Sequence, residues 1–468
     1  MTSLADLSAT GPITVIGGGP AGSVMATLLA GQGLDVTLFE SRPDLRRVDI
    51  DAGRSINLAL AERGIVALRH IGVMDRIDAI AIPMAGRMIH VEGERSFQPY
   101  GSRAHEVIYS VSRTDLNAIL LDAAEATGRV DLRFEQRLRG VDFDQRTLHL
   151  TDEADDDRPL EAPFGVLFGA DGTNSPVRDA TLAVNGGALV DAPLSHGYKE
   201  LEIPPGADGD FQLDPNALHI WPRGQFMLIA LANPEGDFTV TLFLPNQPDL
   251  TDDAHHPGGS FAELDSAEAV ESFFAREFPD FVPLVPDLTK QFFANPQGRL
   301  STIRTTGWSH GAQSVILGDA AHAIVPFHGQ GMIAALESAM VLDRTLRQSP
   351  TDVAAAFAAF EANRKPDTDA IADMALDNYI EMRSGVVDPD YLIKRELALE
   401  LERRWPDHIS PRYGMVMFSS IPCSAVQARA AEQGRILTEL TAGADSIDDI
   451  DWARAETLVE ALTPLADL

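Results

Sequence analysis

A short strand that runs directly into a glycine-rich turn is the feature that most constrains how this chain can fold. The β-prone residues 13–16 are followed by Gly17, Gly19 and Gly22, and then by a helical stretch over residues 23–31. Gly17 permits a tight turn, Gly19 lets backbone amides approach a pyrophosphate, and Gly22 lets the helix pack closely on the strand. The phosphates would lie at the helix N-terminus, where unpaired N–H groups and the helix dipole favour anions.

A second strand strengthens this interpretation. Residues 36–39 are again β-prone and end at Glu40, an acid at a suitable distance to bind a ribose hydroxyl. Strand, glycines, helix, strand and acid in this order predict a dinucleotide site. The alternative, a glycine-rich turn that binds no ligand, leaves Glu40 without a role.

Composition limits the kinds of partner. The chain has 468 residues, which favours two or three structural units. Lys and Arg number 37 against 70 Asp and Glu, so the net charge is −33, which argues against nucleic acid and against anionic membrane surfaces. An anionic substrate would therefore need a local basic group. The single cysteine, Cys423, excludes an internal disulfide and a cysteine-based metal cluster, and it suits a reducing compartment.

Targeting and metal signals are weak. The N-terminus has no basic segment followed by an apolar one, and no run of about 18 apolar residues occurs, so we expect a cytoplasmic protein with no membrane contact. His255 and His256 follow Asp252 and Asp253 in a Pro/Gly loop. Adjacent histidines in a polar loop are usually solvated, and we predict no metal site.

The rest of the chain alternates between strand and helix patterns. We predict a helix over residues 113–127, paired strands over 132–150, an exposed acidic loop at 155–157 and a buried strand that ends near Asp171. Antiparallel sheet is expected from about 190 to 290, with a hairpin formed by residues 226–232 and 238–244, and this sheet should form one wall of a substrate pocket. From about 350 the chain is expected to be largely helical.

Two further segments join the opening glycine turn to give a family resemblance. The segments 169–178, with Asp171 and Gly172, and 317–322, with Asp319, resemble the fingerprints of the class A flavoprotein aromatic hydroxylases, which have the p-hydroxybenzoate hydroxylase fold. The resemblance implies that Asp319 binds the ribityl chain of FAD and that Asp171 and Gly172 lie between the pyrophosphate and the path of NAD(P)H. A single glycine fingerprint also fits this class, in which the reduced nicotinamide has no Rossmann domain of its own.

The implied fold class is α/β, with a Rossmann-type FAD-binding domain, an inserted antiparallel β-sheet substrate domain and a C-terminal α-helical region. The FAD-binding domain is expected to be discontinuous, over residues 1–82, 104–185 and 295–349. Residues 83–103 and 186–294 would form the substrate domain, and residues 350–468 the helical domain.

A narrower resemblance is carried by residues 53–64, 196–200, 218–222 and 318–332, which are similar to the soluble bacterial kynurenine 3-monooxygenase family. It implies a clamp for the substrate carboxylate made of Arg87, Tyr100, Asn378 and Tyr413. A guanidinium fork, two phenols and an amide are suitable donors for a carboxylate. The alternative is that Arg87 pairs with a nearby acid and the tyrosines simply pack.

The same resemblance implies the flavin environment. Residues expected at the cofactor, besides Gly17, Gly19, Gly22 and Asp171, are Pro20, Ala21, Glu40, Arg42, Ala59, Arg113, Leu138, Asp319, Gly331 and Met332. Arg113 taken alone could equally be a surface helix arginine. Residues expected at the boundary between flavin and substrate are Pro326, Phe327 and His328, with Tyr198 and Phe243 as ring contacts.

The implied activity is an FAD-dependent hydroxylation that uses NADPH and O₂ to insert one oxygen atom into L-kynurenine at ring position 3, through a flavin C4a-hydroperoxide. No side-chain acid or base is expected to be essential, because the aniline ring is already activated. The expected partners are a small aromatic amino acid, NADPH and O₂, and the chain could form a homodimer.

Two positions depart from the family pattern. Ile333 and Ser338 stand where the family usually has Asn and Asp, which leaves open the same chemistry on a related aryl amino acid or an anthranilate-like acid. A flavin reductase or dehydrogenase that uses no oxygen, and a non-catalytic FAD-fold scaffold like the Rab escort-type proteins, are further alternatives. The choice between NADPH and NADH is also open.

Overall fold

The computed structural model describes residues 11–48, 57–101, 103, 106–248 and 259–468. Residues 53–56 of the family segment and the pair His255-His256 therefore lie outside the described residues. The strands are β1 Ile13–Ile16, β2 Val36–Phe39, β3 Asn57–Leu60, β4 Ile82–Met84, β5 Gly86–Val91, β6 Glu94–Pro99, β7 Ile108–Ser112, β8 Val130–Arg133, β9 Gln136–Asp142, β10 Thr147–Asp152, β11 Arg158–Pro163, β12 Val166–Gly169, β13 Ala188–Ile203, β14 Ala217–Pro222, β15 Met227–Ala232, β16 Phe238–Pro245, β17 Gln297–Thr306, β18 Ser309–His310 and β19 Ser314–Ile316.

The α-helices lie between these strands in the chain and make up most of its C-terminal part. They are α1 Pro20–Gly31, α2 Glu62–His70, α3 Met74–Asp78, α4 Arg113–Ala126, α5 Pro176–Asn185, α6 Ala267–Glu277, α7 Leu288–Ala294, α8 Asp319–His322, α9 Gly331–Gln348, α10 Val353–Arg383, α11 Pro389–Arg404, α12 Arg412–Phe418, α13 Cys423–Leu440 and α14 Trp452–Glu460.

A six-stranded sheet of order β18-β19-β12-β1-β2-β8 carries the glycine turn. The strand β1 is parallel to both β12 and β2 and lies at the centre. Because the carboxyl ends of parallel strands meet at one edge, Gly17, Glu40 and Asp171 follow neighbouring strands at the same edge. The strand interiors are fully buried, as at Val15 and Leu38, which is typical of a sheet covered on both faces.

Gly17 and Gly22 set the contact between β1 and α1. Gly17 has a positive φ of 103°, and a Cβ on Gly22 would lie 1.9 Å from the Gly17 carbonyl oxygen. No side chain fits between this strand and this helix. The strand-turn-helix start predicted from the glycine spacing is thus confirmed.

A seven-stranded sheet of order β17-β13-β16-β15-β14-β5-β6 forms the second unit. The predicted hairpin is present as the antiparallel pair β15 and β16, whereas β14 and β5 are parallel. The strand β17 falls within the range assigned from the sequence to the FAD-binding domain, but it pairs with β13 in this sheet.

The expectation of sheet up to about residue 290 is wrong beyond Pro245. Residues 267–294 instead contain α6 and α7. The helix α6 buries Val270, Phe273 and Phe274, which recur at helical spacing. These helices cover the back of the seven-stranded sheet with a phenylalanine-rich core.

The C-terminal part is largely helical from residue 353, as expected, and two of its breaks coincide with prolines, since Pro389 opens α11 and Pro422 precedes α13. The mixed α/β fold class is confirmed. Among the described residues, no helix combines the length and the apolar character needed to cross a membrane.

Candidate active site

The first cavity, here called the glycine-turn cavity, has a volume of about 730 Å³ and lies at the carboxyl ends of β1, β2 and β12. Most of the residues predicted from the sequence to bind the cofactor line it. They are Gly17, Gly19, Pro20, Ala21, Glu40, Arg42, Arg113, Leu138, Asp171, Asp319, Gly331 and Met332. Gly22 does not line the cavity, because it lies on the buried face of α1 that packs against the end of β1.

The N-terminus of α1 opens into this cavity. Its N-cap is Gly19, which offers no side chain to satisfy the first N–H groups of the helix. No heavy atom lies within 4 Å of a Cβ built on Gly19, so the backbone there is directly accessible. Free N–H groups at a helix start with an open approach suit a phosphate group.

Glu40 holds the glycine turn in place. Its carboxylate accepts the Gly18 N–H at 2.7 Å and the Arg42 Nε–H at 2.9 Å. Burial opposes ionisation, but these bonds lower the pKa of Glu40, so the group is a carboxylate at neutral pH. A ribose hydroxyl would have to replace one of the longer contacts, such as that from Arg42 Nη2 at 3.3 Å.

Two further acids at the cavity differ in their partners. Asp171 accepts hydrogen bonds from the Ser175 hydroxyl and from the Val177 N–H, at the start of α5. Burial raises the pKa of Asp171 to about 6. Asp319 receives no hydrogen bond from any residue that the structure describes, and its side chain is exposed to the two cavities that it lines. Burial raises the pKa of Asp319, and Arg113 opposes that shift. An acceptor without a donor suits a polyhydroxyl chain.

The second cavity, the inner cavity, has a volume of about 550 Å³ and continues from the first. Arg113, Asp319 and Ile324 line both cavities. Alternate residues of β15 and β16 form its wall, and the predicted residues at its surface are Ala59, Arg87, Tyr198, Phe243, Pro326, Phe327, His328, Asn378 and Tyr413. The seven-stranded sheet is thus one wall of this cavity.

Aromatic rings give the inner cavity a flat apolar side. The Phe327 ring stacks on Tyr379 with centroids 3.8 Å apart, and Phe243 lies 4.9 Å from Phe327. The Asn378 amide donates to the Phe327 carbonyl at 2.6 Å. That bond fixes the segment that carries Pro326 and His328. A planar aromatic ligand matches such a surface.

Arg87 lies at the far end of the inner cavity and is buried, with 5% of its surface exposed. Its Nη1 donates to Glu381 Oε1 at 2.9 Å. Arg87 thus does pair with a nearby acid, which was the alternative to a substrate clamp. The buried Nε–H nevertheless has no hydrogen-bond partner among the residues that the structure describes. The guanidinium also lies 4.8 Å from the centre of the Tyr413 ring. Arg87 therefore keeps a donor for a further acceptor.

Glu381 was missed from the sequence. It also accepts the Tyr391 hydroxyl at 2.8 Å and Arg412 Nη2 at 3.2 Å. Burial opposes ionisation, but Arg87 and Arg412 lower the pKa of Glu381. One signal could have found it, since Glu381 follows Asn378 by three residues and therefore shares its helix face.

Tyr413 is the middle ring of a three-ring stack. Tyr100 lies on one side of it at 5.0 Å and His328 on the other at 5.2 Å, both tilted by 14°. Neither ring nitrogen of His328 has a hydrogen-bond partner among the described residues, and burial lowers the pKa of His328 to about 4. Tyr100 does not line the inner cavity. It faces a third cavity, the outer cavity, on the opposite side of the stack.

The two residues that depart from the family pattern line neither the glycine-turn cavity nor the inner cavity. Ile333 is fully buried and packs near Gly64. The Ser338 hydroxyl lies 2.8 Å from His322 Nε2 and accepts from Arg364 Nε at 3.0 Å. These side chains act on helix packing beneath the cavities and not on their surfaces.

Comparisons with known proteins agree with this geometry. A family model described as an FAD-binding domain matches residues 10–186. The kynurenine 3-monooxygenase of Stenotrophomonas maltophilia is 48% identical over 459 residues, which cover 97% of this chain and 98% of that protein. The enzyme of the same name from Myxococcus xanthus is 44% identical over 454 residues, with 97% and 96% covered.

Solved structures share the fold at lower identity. A 2-methyl-3-hydroxypyridine-5-carboxylic acid oxygenase superposes with a TM-score of 0.63 at 22% identity, over 82% of this chain and 95% of that one. A p-nitrophenol 4-monooxygenase from Pseudomonas putida gives 0.62 at 16% identity, over 84% and 93%. This architecture thus accommodates several oxygenases of small aromatic compounds.

Proposed function

This chain belongs to the kynurenine 3-monooxygenase family, and on that premise we propose that it hydroxylates L-kynurenine at ring position 3 with FAD, NADPH and O₂. The product would be 3-hydroxy-L-kynurenine. The observation that carries the proposal is the buried Arg87, which has a free donor at the end of an aromatic cavity that begins at the glycine turn.

FAD fits the glycine-turn cavity on structural grounds. The uncapped start of α1 would hold the pyrophosphate, and the unpartnered carboxylate of Asp319 would accept the ribityl hydroxyls. Arg113 lines both cavities and adds a positive charge near the phosphates. When bound, FAD supplies electron transfer from the reduced nicotinamide and the activation of O₂.

The residues of the inner cavity would orient the substrate. Arg87 holds the carboxylate through its free Nε–H, Tyr413 lies beside Arg87, and Asn378 lines the same cavity. Phe243 and Phe327 pack against the aniline ring and bring carbon 3 towards the glycine-turn cavity. Orientation of this kind lowers the barrier by removing translational and rotational freedom before the reaction.

In this proposal the residues of the inner cavity keep water away from the reaction, and none of them acts as an essential acid or base. His328 is buried and neutral, because its pKa lies near 4, so it carries no charge towards the substrate at neutral pH. The segment from Pro326 to His328 lines the cavity in which the substrate would meet the flavin. A cavity without water protects a reactive intermediate from hydrolysis and other side reactions.

The proposal is tested by a screen of aromatic acids with the purified holoenzyme. L-Kynurenine is expected to accelerate NADPH consumption and to yield a product one oxygen atom heavier. NADPH consumption without a hydroxylated product would contradict the proposal, as would hydroxylation of a different aryl acid alone. NADH in place of NADPH compares the two reductants.

Two features stay predictions. We expect a cytoplasmic location. The chain could form a homodimer, and light scattering coupled to size-exclusion chromatography would measure the mass of the assembly.

A further inference from the structure

The outer cavity is a second chamber behind the ring stack of Tyr100, Tyr413 and His328. Its volume is about 670 Å³, and residues of β6, α10, α11, α12 and α13 line it. Arg87 and Tyr413 line both this chamber and the inner cavity. A single layer of side chains therefore separates the two chambers.

Four cations line the outer cavity, and three have carboxylate partners. Arg87 pairs with Glu381, Arg412 with Asp377 at 3.1 Å, and Lys394 with Asp390 at 2.7 Å. Arg395 differs. Its Nη2 donates only to the Pro99 carbonyl at 2.7 Å, and no carboxylate of the described residues lies within ion-pair distance. In a chain of net charge −33, a half-buried guanidinium without a counter-ion is unusual.

Buried donors without acceptors surround the same chamber. Gln433 lines it and is 4% exposed, and its side-chain Nε2 has no hydrogen-bond partner in the part of the chain that the structure describes. The Tyr100 hydroxyl and the Arg87 Nε–H are also buried, and neither has a hydrogen-bond partner within the described ranges. Buried polar groups are nearly always paired in folded proteins. These three donors and Arg395 together match a ligand rich in acceptors, namely a carboxylate.

We propose that the outer cavity is a capture site for the amino-acid substrate, in which Arg395 binds the carboxylate before the molecule passes Tyr413 and reaches Arg87. This inference rests on the proposed function. Asp388, which lines the chamber and is exposed, has no cationic partner in the described part of the chain, and it takes the substrate ammonium. The two charges of a zwitterion thus meet opposite charges in the chamber.

The shared wall lowers the desolvation cost of moving the carboxylate between the two chambers. Arg87 is reached from both chambers, so the carboxylate moves from one guanidinium to the next without entering an apolar space alone. Tyr413 is the second residue of α12, a helix of seven residues. Rotation of this side chain opens the layer, whereas the flat side formed by Phe243 and Phe327 stays in place.

The test is the rate at which L-kynurenine binds to the oxidised holoenzyme, followed by the flavin absorbance in a stopped-flow instrument without NADPH. Arg395→Leu is expected to lower the association rate constant about tenfold. Arg395→Lys should restore most of it because the charge remains. Arg403→Leu is the matched control, since Arg403 lies on the same helix and pairs only with Glu400 at the surface; we expect no change.

A second pair of variants tests the chamber without touching a charge. Ala430 lines the outer cavity, and Ala428 lies on the same helix but is exposed. Ala430→Phe is expected to slow both association and release of kynurenine, whereas Ala428→Phe should have no effect. FAD content and melting temperature confirm that each variant is folded.

The results separate this inference from the proposed function. If the wild type hydroxylates kynurenine while Arg395→Leu and Ala430→Phe bind it at the wild-type rate, the capture site is wrong and substrate enters through the inner cavity directly. If the wild type hydroxylates no kynurenine, the proposed function is wrong. The same rate constants are then measured with the aromatic acid that the screen identifies, and they decide on the capture site.

Discussion

Arg87 is held on one side by Glu381 and has a free donor on the other. A buried cation needs a counter-ion when no substrate is bound, because an isolated charge is costly to bury. Glu381 meets that need and is itself held by Tyr391 and Arg412. The substrate carboxylate would therefore add to an existing ion pair. Its affinity comes from hydrogen bonds and ring packing more than from neutralising a bare charge.

Removal of the guanidinium should weaken substrate binding and leave the cofactor in place. Hydrogen bonds to charged groups contribute about 1.5–3 kcal/mol each, so Arg87→Ala is expected to raise the Kd for kynurenine by about ten- to hundredfold. Tyr413→Phe, which keeps the ring stack, should give a smaller increase. Titration of the flavin absorbance measures both. Unchanged affinity in both variants would mean that the carboxylate binds elsewhere.

Burial of a neutral histidine beneath the cavities predicts how stability changes with pH. Burial and the nearby Arg364 lower the pKa of His322 from 6.5 to about 3. Below pH 6.5 the unfolded chain takes up this proton and the folded protein does not, so stability falls as the pH falls. The slope is at most about 1.4 kcal/mol per pH unit for one such group.

His322→Gln should therefore make the acid-induced loss of stability shallower. The melting temperature, measured from neutral pH down to about pH 5, is expected to fall less steeply than in the wild type. His70→Gln is the control, because His70 is exposed at the end of α2. An equally steep fall in the His322→Gln variant would show that other groups, such as His219 with its pKa of about 4, determine the slope.

At the scale of elements, the long helix α10 connects the two ends of the site. Arg364 near its middle donates to Ser338 on α9, while Asn378 and Glu381 lie near its end at the inner cavity. Pro366 interrupts the hydrogen-bond ladder between these groups. The residues that contact α9 and those that contact the substrate region thus lie on separate halves of one helix.

The contact between β1 and α1 gives a prediction with an internal control. A Cβ on Gly22 would lie 1.9 Å from the Gly17 carbonyl oxygen, so Gly22→Ala must push the helix off the strand. We expect loss of FAD and a lower melting temperature. Gly31 lies at the other end of the same helix with open space around it. There Gly31→Ala should stabilise the protein by about 0.5–1 kcal/mol.

FAD absorbance per protein and thermal unfolding measure both variants. Retention of FAD by Gly22→Ala would show that the helix can shift without losing the phosphate site. A destabilised Gly31→Ala would show that the end of α1 does not tolerate a methyl group.

For the molecule as a whole, the structural elements that could be predicted from the sequence are those that depend on the spacing of nearby residues. The glycine turn, the β15–β16 hairpin and the C-terminal helices follow from patterns within about 10–20 residues. The helices α6 and α7 were missed because a phenylalanine-rich amphipathic helix and a buried strand have similar composition. The Arg87–Glu381 pair joins two positions that are 294 residues apart in the sequence. Only the tertiary fold brings such charges together. It likewise leaves Arg395 without a carboxylate partner among the described residues, which no local pattern predicts.

The overall charge predicts how the two substrates respond to salt. NADPH carries several negative charges and approaches a chain of net charge −33, so long-range repulsion should slow its binding. The Debye length falls from about 30 Å at 0.01 M to about 8 Å at 0.15 M salt. The KM for NADPH is therefore expected to fall over this range, whereas the KM for zwitterionic kynurenine, which serves as the control, should change little. Initial rates with the other substrate saturating give both values. A KM for NADPH that rises with salt would instead mean that a local group of arginines, such as Arg113 and Arg299 at the inner cavity, dominates over the net charge and attracts the reductant.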